Sequence, residues 1–119
     1  MTDRKKKYIL ELTEEQVKVL STACEFFARI KMGQFGEIVF HCANKHCPED
    51  PEAAQDAWLE FRKHIFPELH GAGHSYGIGY SKEADTAFDI YQVIRQQFGD
   101  PRGVFSFNEL PKLSVREEP

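Results

Sequence analysis

Tyr8, Leu10 and Leu12 fall at alternate positions on one face, and apolar residues then recur every three or four positions from Val17 onward. The first pattern predicts a short strand and the second an amphipathic helix. Thr13 stands at the switch as an N-cap, Gln16 completes a capping box, and Glu14 and Glu15 suit the positive end of the helix dipole. Two apolar rows follow: Val17, Leu20, Cys24 and Phe27, and beside them Val19, Ala23, Phe26 and Ile30. Together they sweep about 200° of the helix, wider than one packing surface needs. Either the chain covers this helix on both sides or one face meets a second copy; the expected assembly is a homodimer joined through this arc.

Gly33 and Gly36 interrupt the rows in KMGQFG and predict a break, since each glycine costs about 1 kcal/mol against alanine within a helix. Phe35, Ile38, Val39 and Cys42 restart the periodicity, so a second helical piece is expected from Gln34 to about Asn44, with Pro48 closing this half. Asp50 and Pro51 form an N-cap with proline at the first helical position. Ala54, Trp58, Phe61 and Ile65 give that third helix one stripe, ending before Pro67. PELHGAGHSYGIGY, from Pro67 to Tyr80, holds four of the eight glycines and reads as a shaped loop. Ser81 caps a last helix with Ala84, Ala87, Phe88, Tyr91, Ile94 and Phe98 in one stripe and Arg95 at its flank, stopped by Gly99 and Pro101. Beyond it, Val104 to Phe107 and Leu113 to Val115 are short enough for edge strands pairing with Tyr8 to Leu12, before a frayed REEP end.

The expected fold is therefore mainly α, three to four amphipathic helices with short flanking β-strands in one compact domain. A chain of 119 residues and 13.7 kDa is too short for two ordinary domains. Residues 1–7 read as a flexible basic N-terminus, 13–98 as the helical core and 99–119 as an irregular tail. Hydrophobic residues at 41%, with ten Phe among the aromatics, supply a core and exclude disorder. A net charge of −4 argues against binding a nucleic-acid polymer, though not against a small anion in a local basic pocket. No signal-peptide or membrane-span stretch is present, and the three cysteines are too few and odd for a disulfide framework. A cytoplasmic protein with reduced thiols is expected. The run from Arg4 to Lys7 reads as a solvated tail.

Four constellations bear on chemistry. The glycine-rich loop leading into Ser81 places backbone N–H groups and a helix N-terminus where a phosphate or carboxylate could sit, and His74, Ser75, Tyr76, Gly77 and Tyr80 add hydrogen bonds and aromatic faces. It matches neither GxxxxGK[ST] nor a GxGxxG following a strand, and a plain connector explains it as well. Arg29 with Gln34 at the glycine break, and Arg95 on the last helix, could clamp an anion from two helices, or each arginine could pair with a carboxylate such as Glu25 or Asp89. His41, Cys42, His46 and Cys47 are metal-binding residue types without the paired spacing a tetrahedral site needs, so no metal is expected, with Cys42 buried and His46 facing solvent. His64, His70 and His74 lie near Ser75, but no GxSxG or HExxH accompanies them.

ARIKMGQF (Ala28 to Phe35) and AFDIYQVIR (Ala87 to Arg95), joined by the loop containing YGI (Tyr76 to Ile78), resemble a family of small proteins encoded by phages and prophages of Gram-positive bacteria. The similarity spans Leu12 to about Phe98, and Arg29, Gln34, Gly77, Tyr91, Gln92 and Arg95 match its motifs; Lys31 replaces a small residue, and HCANKHC lies outside the pattern. The resemblance implies a phage protein acting in the bacterial cytoplasm. By analogy of size and context, such proteins include anti-defence sponges that hold nucleotide immune signals, such as the ADP-ribose derivatives of Thoeris or cyclic nucleotides, without turning them over. The expected function is thus non-catalytic, cofactor-free binding of a small phosphate-bearing nucleotide. Arg29, Gln34, His74, Ser75, Tyr76, Gly77, Tyr80 and Arg95 are the expected contacts. A protein-binding inhibitor or adaptor acting through an exposed apolar face is the alternative, and a small hydrolase the third reading.

Overall fold

A computed structural model describes residues 5–42 and 49–118. They form four helices: α1 (Glu14–Lys31), α2 (Gly36–Cys42), α3 (Pro51–Lys63) and α4 (Lys82–Gln97). The mainly helical expectation holds, and no helix among the described residues is long and apolar enough to cross a membrane. The N-terminal signals act as their chemistry requires. Thr13 and Gln16 close a reciprocal capping box, while Asp50 and Ser81 accept from Ala53 N–H and Ala84 N–H.

Helices α1 and α4 pack antiparallel, because Lys18 near the start of α1 lies over the Phe98 ring and Lys31 at its end pairs with Glu83. Their seam is made of small residues. Ala28, Met32, Ala84 and Ala87 are buried there, with Cys24, Tyr76 and Phe88 packed around them. A second, aromatic cluster gathers Phe35 between Phe61 and Phe66, with Trp58 against Gly36. These two clusters hold a chain drawn out to a radius of gyration of 17.3 Å, against about 13.5 Å for a compact domain of this length.

The break at KMGQFG falls where the glycines place it. Gly33 adopts φ +85°, and a Cβ there would overlap Leu69 Cδ1, so the site demands glycine both for its backbone and for its room. Helix α2 starts at Gly36 rather than Gln34, because Gln34 N–H still bonds back to Arg29 O in the turn. Asn44 and Pro48, expected at the end of this piece, lie outside the described residues, as does Arg4.

Two expectations need correction. There is no β-strand among the described residues: Tyr8 to Leu12, Val104 to Phe107 and Leu113 to Val115 run without a ladder. For the middle segment the reason is visible, since the N–H groups of Phe105 and Phe107 are bonded by side chains of α4. The α3 stripe is also only partly a core face. Phe61 and Ile65 are about half exposed, and the residue that α3 buries is Arg62.

Candidate functional site

The 71–80 loop takes its shape from a charge buried beneath it. Arg62, 1% exposed, donates from Nη1 to Gly33 O (3.2 Å) and His74 O (2.8 Å), and from Nη2 to Gly71 O (2.5 Å). Its guanidinium also stacks 5.2 Å from the Trp58 ring centre. A buried cation is tolerated when its donors find partners, and here backbone carbonyls take three of its five N–H groups. From the other side, Tyr76 N–H bonds to Met32 O and Gly79 N–H to the buried Asp85 carboxylate.

Several of the loop's backbone N–H groups are therefore bonded within the chain, although most of its residues are exposed. His74 N–H and Tyr80 N–H bond to Gly71 O and Gly77 O, and His74 Nδ1 accepts from His70 N–H. That last bond fixes His74 with its proton on the other ring nitrogen when neutral. Tyr76 and Tyr80 stack face to face at 3.7 Å, Ser75 is half-buried and Gly77 is exposed. The Tyr76 hydroxyl is buried without a partner.

Arg29 and Gln34 meet, as the glycine break suggested: Arg29 Nη1 donates to Gln34 Oε1 at 2.9 Å. The same guanidinium lies 3.5 Å from Glu25 and 3.9 Å from Glu37, over the Phe88 ring. It thus ties α1 to the turn and to α2. Arg95 lies at the opposite end of the α1–α4 pair, about 10 Å further along α4 than Phe88 by helix rise.

There Arg95 stacks on Tyr91 and donates from Nη2 to Gly103 O at 3.0 Å. Its Nε is buried and unbonded, 3.7 Å from the Asp100 carboxylate. An open cleft of about 430 Å³ adjoins it, lined by Lys18, Ser21 and Thr22 of α1 and by Tyr91, Arg95, Phe98 and Asp100. Hydrogen bonds from Arg102, with the charges of Arg102 and Arg95, hold the Asp100 carboxyl well below the usual carboxylate range. Asp100 and Tyr91 in turn raise Arg102.

A second cleft of about 600 Å³ lies on the outer face of α1, between Glu14, Glu15, Val19, Ala23 and Phe26 and reaching His41 of α2. Neither cleft is lined by Arg29, Gln34 or the 71–80 loop. Cys42 is exposed rather than buried, because α2 ends there with that side outward; His46 and Cys47 lie outside the described residues. Among the described residues no three His, Cys, Asp or Glu side chains gather as a metal site would require.

Arg62 and Asp85 were not singled out from the sequence, and Asp89 and Gln92 were named there in other roles. Arg62 stands four residues after Trp58, on the stripe itself, where a charge among apolar residues signals a buried anchor. Asp85, Asp89 and Gln92 repeat at four and three along α4, a polar row beside the apolar one. Asp89, fully buried, accepts the N–H groups of Phe107, Asn108 and Glu109, and Gln92 both donates to and accepts from the Phe105 backbone. Compared with protein-family models, curated proteins and solved structures, the chain has no match.

Proposed function

We propose that this chain is a non-catalytic binding protein of the phage type, capturing a small phosphate-bearing nucleotide such as an ADP-ribose derivative or a cyclic nucleotide. The ligand sits in the α1–α4 cleft at Arg95. The observation that carries this reading is the buried, unbonded Arg95 Nε beside a cleft that also holds Lys18. A phosphate there would meet Lys18, the Arg95 guanidinium in exchange for part of its pairing with Asp100, and the hydroxyls of Ser21 and Thr22, while Tyr91 and Phe98 offer faces for a base. At about 430 Å³ the cleft is within the range of small-ligand sites. Arg29 and Gln34 bond to each other, four N–H groups of the loop are occupied internally, and none of these residues lines the cleft, so the proposed ligand site keeps Arg95 alone of the expected contacts.

The protein acts as a homodimer joined through the outer face of α1, where Val19 and Ala23 stand exposed. The same face favours the second reading, an adaptor that binds another protein.

A thermal-shift series with ADP-ribose and cyclic nucleotides tests the proposal. A ligand at a hundred times its dissociation constant stabilises the folded state by about 2.7 kcal/mol. Lys18→Ala, at an exposed position, should weaken the shift and leave the unliganded melting point in place; Arg95→Ala should abolish it. Mass spectrometry of material released by denaturation should return the nucleotide unaltered. No shift with any nucleotide would leave the adaptor.

A further inference from the structure

Segments 5–12 and 109–118 lie side by side at the edge of the helical body, joined by Lys7–Glu109 at 3.2 Å and Arg116–Glu11 at 2.9 Å. No backbone hydrogen bond links them among the described residues. Their apolar side chains face water: Tyr8 and Ile9 are each 91% exposed, and Leu10 and Val115 also stand open. Three consecutive large apolar residues held out in this way are surface waiting for a cover.

The whole chain leaves 9464 Å² exposed, whereas a compact monomer of this mass exposes about 6,600 Å². Counted over two copies the excess is about 5,700 Å², at the upper end of what obligate homodimers bury. The outer cleft of α1 offers an apolar surface with carboxylates at its rim. Val19, Ala23 and Phe26 form its apolar lining; Glu14, 4.0 Å from Lys18, and Glu15 stand at its rim, and the arm brings Lys5 and Lys6 close to Tyr8. None of residues 5–12 lines this cleft within the same chain.

We infer that the paired terminal segments form an arm that crosses to a second copy of this chain and lays Tyr8, Ile9 and Leu10 into that copy's α1 cleft, with Lys5 and Lys6 toward Glu15. The exchange is reciprocal. It deepens the homodimer reading and rests on it.

Sedimentation equilibrium on the full chain reads the outcome. Wild type should sediment as two copies. The triple variant Tyr8→Ser, Ile9→Ser, Leu10→Ser alters only exposed positions, so its circular dichroism should match wild type while its dimer dissociation constant rises about a hundredfold or more. Val19→Asp, on the cleft side, should act alike. A dimer that survives the triple variant at wild-type affinity but falls apart in Val19→Asp would overturn the arm and keep the dimer. A monomeric wild type would overturn both.

Discussion

Arg62 joins three carbonyls from two separate segments with one guanidinium, so its loss leaves acceptors buried under the loop without a donor. Arg62→Met should destabilise the fold by about 3 kcal/mol, lowering the melting temperature by roughly 10 °C, and should expose the 71–80 loop to limited proteolysis. A melting point within 2–3 °C of wild type, taken as roughly the effect of an ordinary surface change, would contradict this role. Thiol chemistry offers a second reading at this scale. Burial pushes the Cys24 thiol up, which lowers its thiolate fraction at any given pH, whereas Cys42 is exposed. Iodoacetamide at pH 8 should therefore modify Cys42 well before Cys24, as peptide mass mapping would show. Single residues were the least legible part of the sequence. Arg29 and Gln34 could be paired by their places around a glycine turn, but Arg62 acts on groups 9, 12 and 29 positions away, and no local pattern encodes its targets.

At the level of elements, capping residues and glycine stops predicted helix starts and ends well, because those signals act within one turn. Gly33 is the sharpest case. Gly33→Ala meets both the left-handed backbone and Leu69, and should cost more than about 1 kcal/mol, seen as a lowered urea midpoint. The terminal strands were misjudged because alternation reports a two-faced segment and says nothing about whether a ladder partner exists. Near Phe105 and Phe107 the partner is a helix instead. Asp89→Asn would turn an acceptor of three N–H groups into an amide that presents N–H to N–H. The expected result is release of the 104–109 segment, read as faster amide exchange at Phe107 to Glu109, with a stability loss of about 2 kcal/mol.

Across the whole molecule, the antiparallel packing of α1 and α4 sets Arg29 and Arg95 at opposite ends, an arrangement that one-dimensional spacing could not reveal. The Arg95 end also carries the clearest pH signature. The Asp100 carboxyl is held below its ordinary value, so its contribution to stability is complete above the unfolded carboxylate range, near 3.9, and is lost as pH falls through its lower native value. Asp100→Asn should therefore melt below wild type at pH 7, and that gap should narrow as the solution is acidified below about pH 4. A gap independent of pH would mean that the residue acts through shape alone. The grip of Asp89 and Gln92 on the C-terminal segment has one more consequence. It reads only main-chain atoms, so the exposed Phe105 and Ser106 could be replaced and the segment still be held, whereas Phe107 against Phe88 and Asn108 on Thr86 add side-chain contacts of their own. Proline at 105, 107, 108 or 109 would loosen that hold, since it brings no hydrogen for those two side chains to receive.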